Sequence, residues 1–295
     1  MKILLFFFLF LFFLVILDNI FELIYSRNGD YCYGKTGNRV KKNISNFNII
    51  PCNNDIFRCY WIAVNYHLVK KKEDFLVSIL LKWLHNGNIK IQKIDHKTFY
   101  KKNIFNIIFI KPPSDTIELE ERLYEYMYKA SQNGELNRKK FKKWCWENDV
   151  NIRRWFEEVL DFERKMLIND NKISVREIKI RKLGYRLKGL VFDVDSSMMT
   201  EAEKIAGFKN YLKKISSIQG KEFIDINFLN DYLMYAQMFG IVNKVARRFN
   251  TLYPEVIRDM DIGYSYDDIV FLNMLVNTGI STARKISRND DRIGY

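Results

Sequence analysis

The sequence predicts a mainly helical α+β protein, and three observations predict it. Apolar residues recur at spacings of three and four over most of the chain, two short stretches alternate instead, and Asn-Gly and Pro-Pro pairs separate the segments. With 295 residues, 48% of them hydrophobic, the chain is long enough for one large core or two ordinary ones. Its 4 prolines and 13 glycines are scattered, so no stretch reads as a long linker or a low-complexity tail.

Residues 1–25 read as a transmembrane anchor. Ile3 to Leu17 are uninterrupted Leu, Phe, Ile and Val. At 1.5 Å per residue this run covers only about 22 Å of a bilayer core about 30 Å thick. A spanning helix must therefore use Ile20, Phe21, Leu23, Ile24 and Tyr25, which puts Asp18 and Glu22 near the interface. The competing reading is a cleaved signal peptide, but no small-x-small site precedes Ser26. Lys2 alone lies before the span, whereas Arg27, Lys35, Arg39, Lys41 and Lys42 follow it. The positive-inside tendency then makes this a single-pass membrane protein with its C-terminal bulk in the cytoplasm. Residues 26–54 form a juxtamembrane segment.

From Asp55 the period is helical. Ile56, Tyr60, Ala63, Val64 and His67 share one face; Phe75, Leu76, Ile79, Leu80, Trp83 and Leu84 make a wide apolar face ended by His85-Asn86-Gly87. Asn88 to Ile94 alternates and Asn103 to Ile110 is a second strand, closed by Pro112-Pro113. Helix, helix, strand, hairpin, strand is the order of a winged-helix-like unit over residues 55–113. A second such unit over 114–195 has helices Glu118 to Ala130, with Leu119, Leu123, Tyr126 and Met127 inward, Arg138 to Glu147 and Asn151 to Met166, and a wing from Ile173 to Val194. Residues 196–295 form a C-terminal helical segment with helices Glu201 to Ile215, Phe228 to Phe249 and Asp267 to Ile286.

Net charge is +13; residues 1–25 contain Lys2, Asp18 and Glu22, a net of −1, so the remaining 270 residues carry +14. Such a balance favours anionic partners, membrane lipid or nucleic acid, and a basic domain beside a membrane needs no nucleic acid to explain it. Lys139, Lys140, Lys142 and Lys143 crowd one helix, and Arg153, Arg154, Arg164 and Lys165 lie on the next, where a winged helix would offer them to a DNA backbone. The plainer reading is a solvated basic face or one resting on acidic lipid. Tyr232, Tyr235, Met238 and Phe239 read as core, with a helix-docking face for a protein partner as the alternative.

Asp193-Val194-Asp195 has the form of the acidic pair with which some sugar-nucleotide transferases hold a divalent metal, but no nucleotide-binding βαβ pattern precedes it, and turn acids fit better. His67, His85 and His96 lie in no metal or nucleophile motif. Cys32, Cys52, Cys59 and Cys145 lack a C-x-x-C spacing and read as reduced thiols. No catalytic, metal or cofactor site is expected, which leaves an interaction or scaffold module ahead of a membrane-tethered nucleic-acid binder, with a metal-dependent transferase last.

Three stretches carry a resemblance. Thr200 to Leu212, with Gly-Phe-Lys-Asn-Tyr-Leu at 207–212, and Asp231 to Ile241, with Tyr-Leu-Met-Tyr-Ala-Gln-Met-Phe-Gly-Ile at 232–241, resemble the GFKxYL and YLxYAxxxGv signatures of the membrane-protein family designated domain of unknown function 2207 (DUF 2207). Trp83 to Ile91 resembles that family's first cytoplasmic helix-to-strand step. The resemblance implies a membrane span followed by a cytoplasmic part, and it implies no reaction. Family members typically begin with a signal peptide and an extracytoplasmic domain, so the resemblance implies that this chain looks like their C-terminal portion.

The orientation is testable in intact cells. Cys145 should resist an impermeant thiol reagent added outside and react after denaturation; labelling from outside would overturn the orientation.

Overall fold

The computed structural model describes residues 39–41, 43–94, 104–182, 185–215, 228–252 and 265–293. The expected membrane helix over residues 1–25 lies outside the described residues, as do Cys32 and His96. Among the described residues no helix is long and apolar enough to cross a membrane. The fold is mainly helical α+β with small antiparallel sheets. Among the described residues, those within 40–163 and 201–293 make one compact unit, and those within 164–200 belong to a second.

In the larger unit, α1 (Ile56–Asn65) starts where the Asp55 carboxylate accepts the N–H groups of Phe57 and Arg58 at 3.0 and 3.1 Å. This N-cap satisfies two donors that a helix start leaves open. α2 (Lys72–His85) carries Glu73 and Asp74 in its first turn and Lys82 and His85 in its last, each sign matching the helix dipole. Its middle has no polar face. Phe75, Leu76, Val77, Ile79, Leu80 and Leu81 are all buried, and the Ser78 hydroxyl donates back to the Asp74 carbonyl at 2.8 Å. A helix apolar on every side must be enclosed. Tyr60 of α1 stacks on Phe75 with centroids 3.8 Å apart, and the strand and C-terminal helices described next pack around the rest.

Gly87, at φ +67, ends α2 and turns the chain into β1 (Ile89–Ile94), which pairs antiparallel with β2 (Ile104–Phe109) from Ile89↔Phe109 to Ile94↔Ile104. α3 (Glu118–Ser131), β3 (Glu135–Leu136), α4 (Arg138–Glu147) and α5 (Asp149–Asn169) follow. The expected boundary between residues 113 and 114 is corrected by β3, which pairs with β2 at Ile107↔Leu136 and Ile108↔Glu135, so one sheet crosses it. The second edge of β2 would otherwise expose unpaired backbone groups, and β3 covers it. On α3, Tyr124 is buried where Tyr126 was expected, because its ring meets Trp83 and Phe109 edge-on at 5.3 and 5.1 Å. Glu120, 1% exposed, accepts from Trp83 Nε1 at 2.9 Å and from the Lys82 ammonium at 2.8 Å, tying α3 to α2.

α6 (Ser197–Ile215), α7 (Leu229–Met238), α8 (Val242–Leu252) and α9 (Tyr266–Ile293) complete the chain. A single helix expected over Phe228 to Phe249 is two, because Gly240 takes φ +70 and a Cβ there would stand 3.0 Å from the Asp74 carboxylate. α7 and α9 both pack on α2. At their junction Gln237 and Asn273 exchange two amide hydrogen bonds at 2.9 and 3.0 Å, and Gln237 also donates to Asp74 at 3.4 Å. Gly207 of α6 accepts the Phe47 N–H at 3.1 Å and leaves no room for a Cβ, which would meet the Ser45 carbonyl at 2.7 Å. Asn210 donates to the Ile44 carbonyl at 3.2 Å, so the Gly-Phe-Lys-Asn-Tyr-Leu stretch clamps the segment before α1.

In the smaller unit, β4 (Ile173–Lys182) and β5 (Tyr185–Val194) form a two-stranded ribbon paired from Ile173↔Val194 to Lys182↔Tyr185. At its base Arg176 pairs with Asp193, and the Arg164 guanidinium lies 4.8 Å from the Phe192 ring centroid.

Two predictions follow from the packing. Tyr235 is fully buried and its hydroxyl has no hydrogen-bond partner among the described residues. Tyr235→Ala should cost about 2–5 kcal/mol, whereas Tyr235→Phe should leave the melting temperature unchanged or raise it, because no hydrogen bond is lost. Burial raises the Asp74 carboxyl to about 6, with Glu73 adding and Lys71 opposing. A carboxyl raised in the folded state contributes stability that is full below its ordinary value near 3.8 and is lost as pH rises through about 6. Asp74→Asn should therefore raise the melting temperature above about pH 7 and leave it unchanged near pH 4.

Candidate anionic-partner interface

The basic run of α4 sits on an amphipathic helix whose orientation is set from inside. Asn137 caps it, its side chain accepting the N–H groups of Lys139 and Lys140 at 3.0 Å. Phe141 and Cys145, one turn apart, are both fully buried against α9 at Gly279. A Cβ at Gly279 would meet the Phe141 ring at 2.6 Å and Cys145 Sγ at 2.9 Å, so glycine permits the close approach. With that face inward, helical spacing turns Lys139, Lys142, Lys143 and Trp146 outward together. They border an open cleft of about 560 Å³ with Gln132, Asn137 and Thr282.

The outward residues differ in their freedom. Lys139 and Lys142 are exposed and make no side-chain hydrogen bond or ion pair among the described residues. Lys143 lies 3.8 Å from Glu147, an exposed pair one turn apart that contributes little. Lys140 also borders the cleft, but its ammonium is committed to the carbonyls of Ser131 and Glu135 at 2.8 and 2.9 Å, where it ties the end of α3 to β3. Trp146 is 60% exposed, an unusual setting for so large an apolar surface. The signal for it in the sequence is its position one turn after Lys142, on the same flank of the helix.

The two arginines do not join this face. Neither borders the cleft. Arg153 pairs with Asp149 at 3.0 Å, and Arg154 is exposed on α5. Burial of Ile152, Trp155, Phe156 and Val159 fixes that helix, and Trp155 Nε1 donates to the Leu119 carbonyl at 2.7 Å. Arg164, the third cation of the supposed recognition helix, is only 9% exposed.

The other candidates resolve into structural roles. Tyr232, Tyr235, Met238 and Phe239 are at most 5% exposed, so the docking-face alternative is corrected: these side chains fill the core. Phe208 lies between Tyr232 and Tyr235 with centroids 5.8 and 5.7 Å away. The Lys209 ammonium, over the Phe239 ring and bonded to the Leu68 carbonyl, is lowered to about 8 chiefly by burial. Asp193 is held by Arg176, and Asp195 accepts the Ser197 N–H at 2.8 Å at the start of α6; hydrogen bonding from the Ser197 hydroxyl, and then from its N–H, lowers the Asp195 pKa. Among the described residues no group of three ligating side chains can hold a metal ion. His67 sits at φ +58 in the turn after α1, and His85 is exposed at the end of α2.

Cys52, Cys59 and Cys145 are free thiols. Burial raises Cys59, which also bonds to Cys52, and pushes Cys145 up to about 12, conditions that keep both unreactive. Buried Cys145 would resist an external reagent on either side of a membrane, so Cys52, partly exposed, is the better reporter of orientation. A second cleft of about 500 Å³ gathers Asp55, Lys82, Asp115, Glu120 and Asp231 from distant parts of the chain. Asp55 caps α1, Glu120 holds Trp83 and Lys82, and Asp231 accepts from Asn54 at 3.1 Å, so three of its four acids serve the fold.

No protein-family model, curated protein or solved structure matches the chain.

Proposed function

We propose that the chain is a membrane-anchored interaction module, with its bulk in the cytoplasm, whose α4 face receives an acidic segment of a protein partner. One observation carries the reading: Lys139, Lys142 and Lys143 stand with a 60%-exposed Trp146 on one helix face. Exposed lysines steer an acidic partner and set its orientation, while a tryptophan beside them supplies desolvated contact area. The charge of +14 outside residues 1–25 acts in the same direction over longer range. The anchor over residues 1–25, the winged-helix-like organisation and the kinship with DUF 2207 belong to this proposal, supported by the apolar run, the element order and the residues of 207–212 and 232–240.

A membrane-tethered winged-helix nucleic-acid binder would draw on the same lysines. It is weaker because the helix that would read a groove keeps Arg153 in an ion pair and Arg164 largely buried. A transferase built on Asp193 and Asp195 has less support still, since both carboxylates are engaged.

The full chain in detergent should bind polyglutamate with an affinity that falls about tenfold in the Lys139→Glu/Lys142→Glu double variant, by loss of steering and contact charge. Trp146→Ala should weaken binding further, and neither change should lower the melting temperature, because neither side chain is buried. Duplex DNA should bind without sequence preference and dissociate steeply with salt. Unchanged polyglutamate binding would reject the α4 face. Selection of one duplex sequence at physiological salt, abolished by Arg153→Ala or Arg154→Ala, would identify a DNA reader instead.

A further inference from the structure

Just before α1 three successive residues other than glycine take left-handed backbone angles: Cys52 at φ +55, Asn53 at +51 and Asn54 at +64. Asparagine tolerates that region, whereas cysteine is rare there and is kept only where the surrounding structure offsets the strain. The turn is held from both ends. The Asp55 N–H donates to the Cys52 carbonyl at 2.9 Å, the Cys59 N–H donates to the Asp55 carbonyl at 3.0 Å, and the Asn54 amide donates to Asp231 of α7 at 3.1 Å. Its consequence falls on the two cysteines. Seven residues of helix would set Cys52 and Cys59 about 10 Å apart and seven of extended chain about 23 Å, both beyond the reach of a sulfur–sulfur bond. Folded back by the turn, the Cys59 thiol hydrogen-bonds to Cys52. Exposure divides the pair: Cys59 is fully buried and Cys52 is partly exposed. The Tyr235 hydroxyl, buried and without a hydrogen-bond partner among the described residues, lies within electrostatic reach of both thiols.

We propose that Cys52 and Cys59 form a dithiol–disulfide couple oxidised by a hydroperoxide, in which Cys52 meets the oxidant and Cys59 resolves the product. The Cys52 sulfur attacks one peroxide oxygen and the O–O bond breaks. With hydrogen peroxide the leaving hydroxide takes the thiol proton and departs as water, and Cys52 becomes a sulfenic acid. The Cys59 sulfur then attacks the Cys52 sulfur, the S–O bond breaks, and the hydroxyl leaves with the Cys59 proton as a second water. The two thiols together lose two electrons and the peroxide gains them. Burial shields Cys59 from reagents in solution but leaves it in contact with Cys52, so the order of events follows from exposure. A reversible couple suits a reducing compartment, where lasting disulfides are rare and redox-sensing ones occur. The couple depends on neither the α4 face nor the membrane anchor, so its fate and theirs are decided separately.

Peptide mapping reads the couple directly. Trypsin cuts after Lys42, Arg58 and Lys70, so Cys52 and Cys59 fall on the separate peptides 43–58 and 59–70. Reduced full-length chain in detergent is treated with hydrogen peroxide, its remaining thiols are alkylated in denaturant, and the digest is analysed by mass spectrometry without reductant. The two peptides should be recovered as one disulfide-linked species. Alkylation of Cys52 and Cys59 should fall together and by the same fraction, Cys145 should stay alkylated, and dithiothreitol should restore both thiols. In Cys59→Ser the resolving sulfur is gone, and a dione probe should trap Cys52 as its sulfenic acid; the unaltered chain should give no more than about a tenth of that adduct, because a thiol already in contact outcompetes a probe in solution. The digest of the unaltered chain decides the question even where that variant fails to fold. Cys52 carried to the sulfinic acid while Cys59 stays alkylatable, Cys59 linked to another cysteine or to a second chain, or both thiols left unoxidised would overturn the proposal.

Discussion

A helix with no polar face is the constraint on which the larger unit depends. From Phe75 to Leu84 α2 presents apolar residues in every direction, and only enclosure makes such a segment tolerable in water. α1, β1, α7 and α9 supply the enclosure, and their own apolar residues are committed by it. Most polar groups that reach α2 are paired: Trp83 Nε1 with Glu120, Ser78 with its own helix, and Glu73 Oε1 with Arg284, while Glu73 Oε2 has no hydrogen-bond partner among the described residues. Burying these groups without partners would cost more than the hydrogen bonds contribute net, and the pairs Trp83–Glu120 and Glu73–Arg284 also fix a register between helices.

Much of this arrangement is legible in the order of residues. The spans of α1 to α4 and of the first hairpin follow from apolar spacing and from stops such as Asn86-Gly87, because both are local properties of the chain. What escapes reading depends on contacts between distant positions. β3 is two residues long and exists only because β2 has an edge to cover. Gly240 breaks a continuous apolar period because the Asp74 carboxylate stands beside it, a neighbour 166 positions away in sequence. Glu120 looks like a surface acid in a run of glutamates until Trp83 and Lys82 are brought to it.

The candidate site divides along the same line. Lys139, Lys142 and Lys143 are recognisable as a basic face from composition and spacing alone. Lys140, adjacent in sequence and identical in type, is removed from that face by three backbone carbonyls that only the fold collects. Arg153 is withdrawn by Asp149 and Arg164 by burial, so a cation count overstates what any partner meets. In residues 207–212 and 232–239, Gly207, Phe208, Tyr232, Tyr235, Met238 and Phe239 are buried packing residues, and Gly207 and Asn210 clamp the segment at 44–47, which makes them determinants of fold.

Native-state hydrogen exchange in increasing denaturant tests the enclosure of α2 most directly. Amides between Phe75 and Leu84 should exchange only through global unfolding, with an opening free energy that falls with denaturant along the same slope as the whole larger unit. Exchange of those amides by denaturant-independent local opening, while the amides of α1, α7 or α9 remain protected, would contradict the account.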